Sequence, residues 1–223
     1  MILPNMNYPD IVTQINEDYC EVLDRIRKSE TKINKEILRR TVFPFSFNTI
    51  HYTTRNNNKW VITVKVYSRS KLHDRKIYAY CIMESSWGHF ILRPSFSFDG
   101  QNSYIHMYSP HFFSRYRERH NVNLNGLELV EYYFSENKDY RVVRKPCETG
   151  SIYKEEICAS TTDGVSLGQT PDGLNFIFRT FITYEMLKGE QIETFNLSNK
   201  IRKEMQEEYQ PTKAQMLCSN FYI

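Results

Sequence analysis

An α+β fold dominated by antiparallel sheet is predicted by three features of the sequence. Apolar residues recur with helical spacing in only a few stretches, above all residues 10–40. Elsewhere the period drops to two, in short runs rich in Val, Ile, Phe, Tyr and Thr. Turn signals such as Asn56-Asn57-Asn58, Asp99-Gly100, Asp163-Gly164 and Pro171-Asp172-Gly173 separate those runs. Composition agrees, with Tyr 16 and Phe 14 and almost no alanine, so the core is built from rings and β-branched residues.

Ile11, Ile15, Tyr19, Val22, Leu23, Ile26, Ile33, Ile37 and Leu38 recur at helical spacing, so 10–40 reads as one long helix or two in succession. Asp10, after Pro9, is the expected N-cap. From Thr41 the alternation of Phe43, Phe45 and Phe47 marks extended chain. Trp60–Tyr67, Lys76–Met83, Phe90–Phe98 and Tyr104–Tyr108 follow as strands of an antiparallel meander, with Asp99-Gly100 as a hairpin turn.

Ser109 and Pro110 then open a helix as cap and first residue. A second helix, Asn123–Glu136, is expected to bury Leu124, Leu127, Val130 and Phe134. Strands are expected at Tyr140–Arg144, Ile152–Ser160, Gly164–Gln169 and Leu174–Ile182. Thr183 caps a short turn, Tyr184–Lys188, that Gly189 stops, and a last helix runs from Ser198 to Tyr209. The expected organisation is 1–108 as helix plus meander, 109–189 as a helix-helix-four-strand module, and 190–223 as a helical tail, within one domain or two apposed ones.

Hydrophobic residues at 40% and charged residues at 25% exclude a disordered chain. The net charge of +3 is too mild to imply nucleic acid. Residues 1–100 carry 15 Lys+Arg against 10 Asp+Glu, whereas 101–189 carry 10 against 11. Five widely spaced cysteines without Cys-x-x-Cys argue against a disulfide framework or zinc knuckle. No basic, apolar leader and no membrane-length apolar run is present, so a cytoplasmic location and no membrane partner are expected. No cofactor or metal set is legible: His106, His111 and His120 lie close in sequence, but the last two point opposite ways on one helix.

Chemistry is concentrated in the helix after Pro110. His111, Arg115 and Glu118 fall within about a 60° arc, with Arg119 beside them and Phe112 and Tyr116 opposite. One reading makes His111 a proton-transfer group, Arg115 and Arg119 anion clamps, and Glu118 an orienting or second titrating group. The other makes the row a salt-bridged solvent face. A second constellation is Phe178-Arg179-Thr180-Phe181-Ile182-Thr183-Tyr184. Alternation places Phe178, Thr180 and Ile182 on one face and Arg179, Phe181 and Thr183 on the other. Arg179 in such a strand needs a carboxylate, solvent or a bound anion. The glycines of Asp163–Gln169 lack phosphate-loop spacing, which leaves a hairpin turn.

Ser109, His111, Arg115 and Arg119, followed by a second helix and strands ending at Thr183, make residues 109–184 resemble the small ribonuclease toxins of the barnase/RelE-like group. The resemblance covers about a third of the chain and implies metal-independent RNA cleavage. His111, Glu118 and Tyr184 would be catalytic, and Arg115, Arg119, Arg179 and Thr183 would hold phosphate. The same segments also look like uncharacterised bacterial proteins with a His-Phe-Phe-x-Arg-Tyr helix, a likeness that implies no activity. The function expected is a binding or regulatory module, docking a protein partner through the 10–40 or the 198–209 helix. The alternative is a toxin-like ribonuclease with RNA as its partner.

Overall fold

A computed structural model describes residues 1–68, 75–96, 103–137, 141–189, 192–193, 195–196 and 200. The Asp99-Gly100 turn and, apart from Lys200, the Ser198–Tyr209 helix lie outside the described residues. The α+β class and the largely antiparallel pairing are observed. The chain forms two compact units that divide at Ile105/His106, slightly before the boundary read from sequence.

Unit 1 opens with a single helix, α1 (Tyr8–Arg39). Its cap is Asn7, whose side chain accepts from the Asp10 N–H at 2.9 Å, not Asp10 itself. A proline in the first turn costs no helical hydrogen bond, so the helix extends back past Pro9 and leaves Asp10 to face the positive end of the dipole. β1 (Phe45–Ser46) and β2 (Ile50–Thr53) both pair antiparallel with β3 (Lys59–Val66), which continues to β4 (Arg75–Ser85) and β5 (Gly88–Phe96). Asn57, at φ +58°, closes the turn into β3, as the asparagine run predicts. β2 has no sequence expectation behind it, being only four residues long with half-buried apolar positions.

One stripe of α1, including Ile11, Ile15, Val22, Ile26, Ile33 and Ile37, is buried. Asp18 lies in that stripe, fully buried. Its carboxylate accepts from Asn58 Nδ2 at 2.6 Å, Trp60 Nε1 at 3.1 Å and Asn56 Nδ2 at 3.1 Å. Asn58 in turn accepts from the Ile2 N–H at 2.6 Å. The helix and the β2–β3 turn thus meet on one carboxylate, the N-terminal strap is tied to it through Asn58, and the buried carboxylate is tolerated because three side-chain N–H donors solvate it.

Unit 2 contains β6 (Ser103–Tyr108) from His106 on, α2 (Pro110–Arg119), α3 (Gly126–Glu136), β7 (Arg141–Pro146), β8 (Glu155–Ser160), β9 (Val165–Thr170), β10 (Phe176–Ile182) and a 3₁₀ turn, Tyr184–Met186. The strand order is β6-β10-β9-β8-β7. His106–Tyr108 of β6 pair in parallel with Phe176–Phe178 of β10, a pairing that the antiparallel pattern of the sequence does not anticipate. Ser109 and Pro110 start α2 as expected, the Ser109 side chain accepting from the Phe112 N–H at 3.3 Å.

α3 begins three residues later than its apolar pattern suggests. It buries Leu129, Val130, Tyr133 and Phe134, while Leu124 and Leu127 are only half-buried. The last strand starts later too: Asp172 accepts from the Leu174 and Asn175 N–H groups at 2.9 and 2.8 Å, which keeps Leu174 in the turn. Behind the 3₁₀ turn, Val165, Leu187 and Phe195 form a small apolar cluster.

β10 carries a bulge. Phe178 opposes Gly168 and Thr180 opposes Leu167, leaving Arg179 as the extra residue. Phe178 and Phe181 therefore both meet Phe112 of α2, each with ring centroids 6.2 Å apart. This corrects the plain alternation, which separated those two phenylalanines.

Two stability predictions follow from these contacts. Asp18→Ala strands the Asn58 amide and the Trp60 indole N–H in the core, and urea unfolding should show a loss of about 2–4 kcal/mol. An unchanged midpoint would remove Asp18 as the anchor. A Cβ on Gly168 would stand 2.2 Å from the Ile177 carbonyl oxygen, so Gly168→Ala must push β9 from β10. Its melting temperature should fall well below that of an exposed control such as Lys28→Ala; equal melting would mean that the strands absorb the methyl group.

Candidate functional site

The exposed row on α2 exists as the spacing predicts. Arg115 Nε donates to His111 Nε2 at 3.0 Å, and Arg115 Nη1 donates to Glu118 Oε2 at 2.8 Å. The Arg115 and Glu118 side chains are 36% and 64% exposed, so this is a solvated i,i+3 ion pair beside an imidazole. Phe112 and Tyr116, on the opposite face, are fully buried.

The other candidates are placed apart from that row. Arg119 Nη1 donates to the Phe181 carbonyl and lies 3.3 Å from Thr180 Oγ1. β6 stops at Tyr108, so it cannot pair with this stretch of β10, and the guanidinium of Arg119 supplies a donor there. Ser109 works in the same way, its N–H donating to the Phe178 carbonyl at 3.0 Å and its hydroxyl to the Arg179 carbonyl at 3.2 Å. Arg179 itself is exposed. Its guanidinium lies 4.9 Å over the Tyr153 ring, in a different system from Arg119, and donates to the Tyr153 hydroxyl at 2.6 Å. Thr183 is buried at the head of the 3₁₀ turn without a side-chain cap bond to it, and the Tyr184 hydroxyl donates to the Thr161 carbonyl.

A polar node absent from the sequence reading lies on the buried side of α2. The Tyr116 hydroxyl donates to Asp163 Oδ2 at 2.5 Å. Asn137 Nδ2 donates to the same oxygen at 2.9 Å, and the Asp163 N–H returns a bond to Asn137 Oδ1 at 3.0 Å. His120, stacked on Tyr116 with centroids 5.5 Å apart, brings Nε2 to 3.8 Å from Asp163 Oδ1, an ion contact only when the imidazole is protonated. Burial, then the Asp163 hydrogen bond and charge, push the Tyr116 hydroxyl far above the usual tyrosine range. Glu185 is held below the usual carboxylate range by the Thr183 hydroxyl and its own main-chain N–H, with His120 adding to the effect.

In the sequence Asp163 reads as part of a turn, because Tyr116 lies 47 positions away and nothing local marks the pair. The node joins α2, the α3 C-terminus and the β8–β9 turn through hydrogen bonds that satisfy one another. That turn is the expected hairpin: the Thr161 N–H donates to the Gly164 carbonyl at 2.8 Å. Gly164 is required by packing, since a Cβ there would lie 2.3 Å from the Ile182 carbonyl oxygen.

Among the described residues no group of three or more His, Cys, Asp or Glu could hold a metal ion, and no helix is long and apolar enough to cross a membrane. No family model, curated protein or solved structure matches the chain.

The raised Tyr116 pKa carries a definite sign. The folded state favours the neutral phenol, so its contribution is complete below the unfolded tyrosine value of about 10 and is lost as pH rises above it. Tyr116→Phe should lower stability at pH 7 by about 1–2 kcal/mol through the lost hydroxyl bond. It should also flatten the fall in stability above pH about 10. Urea unfolding followed from pH 7 to 11 checks both, and parallel alkaline curves for the two proteins would remove Tyr116 as the titrating group.

Proposed function

We propose that the chain is a binding or regulatory module whose partner contact is made by α1. The observation that carries this reading is that the site groups of unit 2 bond within the protein. Arg115 is engaged by His111 and Glu118, Arg119 by the Phe181 carbonyl, and Arg179 by Tyr153. A phosphate clamp needs guanidiniums that converge on one place with donors to spare. These three make separate contacts and do not meet on one group. In α1, by contrast, residues 25–40 carry seven Lys or Arg against two Glu. All seven bases, Arg25, Arg27, Lys28, Lys32, Lys35, Arg39 and Arg40, are exposed.

A metal-independent ribonuclease is the second reading. It is favoured by the 3.0 Å contact that sets an imidazole beside a guanidinium on an exposed helix face. In that reading His111 exchanges the proton of the RNA 2′-hydroxyl and Arg115 holds the phosphate, with Glu118 and Tyr184 as further donors or acceptors.

Incubation of the full chain with labelled single-stranded RNA at low salt, without divalent metal, separates the two. The module reading expects no cleavage and no difference between wild type and His111→Ala. Cleavage that His111→Ala abolishes while the melting temperature holds would overturn it in favour of the nuclease.

A further inference from the structure

We infer that the groove between the C-terminal half of α1 and the edge strand β1 is a docking site for an acidic, extended peptide segment of a partner protein. This rests on the module reading above and adds the place and chemistry of the contact. The helical wall of the groove is Lys32, Glu36 and Arg40, one residue per turn along a single face. The facing wall is Phe45, Ser46, Phe47 and Asn48.

Two cations are poised over two rings there. Lys32 Nζ stands 5.9 Å from the Phe47 centroid, and Arg40 Cζ stands 5.4 Å from that of Phe45. Glu36 lies between them and pairs with Arg40 at 2.9 Å. Lys32 has no carboxylate at ion-pair distance among the described residues. Lys32 thus keeps its ammonium beside the groove while its stem packs on a ring, and Arg40, already paired with Glu36, adds a second positive charge there.

The strand supplies the other half of the recognition. β1 is the terminal strand of its sheet, Phe45 opposing Val66 and Ser46 opposing Lys65. The Phe47 N–H donates inward to the Val64 carbonyl at 2.8 Å. Alternation along an antiparallel strand then turns the main-chain groups of Ser46 outward, onto an edge that no described strand pairs. An extended peptide can add there by strand pairing while its side chains reach the helix.

Spacing matches the two halves. Phe45 lies under Arg40 and Phe47 under Lys32, so strand and helix run alongside each other. Lys32 and Arg40 are about 12 Å apart along the helix axis, and residues four apart in an extended peptide are about 13 Å apart on one face. The fitting segment therefore carries carboxylates four positions apart, with a neutral or basic residue midway, opposite Glu36. That same Glu36 disfavours a nucleic acid, whose phosphates would run past it at every step. The excess of bases in 25–40 supplies the long-range attraction.

The test measures fluorescence anisotropy of the full chain with labelled Thr/Val decapeptides. One carries two glutamates four positions apart, a second carries lysines there, and an oligouridylate of equal length is the third probe. The glutamate peptide should bind at least about tenfold tighter than the lysine peptide, and Lys32→Glu with Arg40→Glu should invert that preference. Should the double reversal lower the melting temperature, Lys32→Gln with Arg40→Gln should still weaken the glutamate peptide by about tenfold.

Equal binding of the two peptides, an affinity indifferent to both double variants, or preference for the oligouridylate would each overturn the proposal. The RNA-cleavage assay reports separately: absent cleavage with absent peptide preference removes this docking site alone, whereas His111-dependent cleavage removes the module reading on which it rests.

Discussion

The single residue that Arg179 inserts into β10 organises unit 2. Without it, strict alternation would turn Phe178 and Phe181 to opposite faces of the sheet. With it, both rings pack on Phe112, and α2 is seated by its aromatic side. Once α2 is seated there, Ser109 and Arg119 reach the carbonyls of β10 that β6 does not pair, one at each end of the helix. Tyr116 is carried to Asp163, and the β8–β9 turn is pinned through Asn137 to the end of α3. The charged face of α2 is left in solvent by the same geometry.

Unit 1 solves its helix-on-sheet problem with a buried carboxylate. Asp18 interrupts an otherwise apolar stripe and would be costly there alone, but Asn56, Asn58 and Trp60 converge on it. The asparagine run that reads as turn chemistry is therefore also the solvation shell of a core anion. Because a packed apolar stripe can slide by a turn and a directional hydrogen-bond set cannot, this anchor fixes the register of α1 on its sheet. The C-terminal half of the helix, beyond the anchor, is where its exposed bases and the β1 groove lie.

Charge is used differently in the two units. In unit 2 the arginines singled out for chemistry bond within the protein, each against a carbonyl, a tyrosine or near neighbours on its own helix. In unit 1 the cations of the α1 C-terminal half lie over rings and beside a strand edge that no described strand pairs, where an incoming carboxylate can compete for them. That contrast, more than net charge, directs the functional reading toward a peptide-binding surface on α1.

Local chemistry in the chain was enough to determine the α+β class, the helical character of 10–40, the Ser109-Pro110 start of α2 and the aromatic and charged faces of that helix. These depend on residues within a turn or two of one another, where periodicity and capping act. Contacts across long sequence separations decided the rest. The parallel pairing of β6 with β10 joins segments some 70 residues apart, and the Tyr116–Asp163 bond spans 47. The bulge at Arg179 is a register property of two strands and leaves no mark in one. Which groups Arg119 and Arg179 bond within the protein was decided by tertiary packing, since the acceptors it sets within reach of each guanidinium belong to distant parts of the chain.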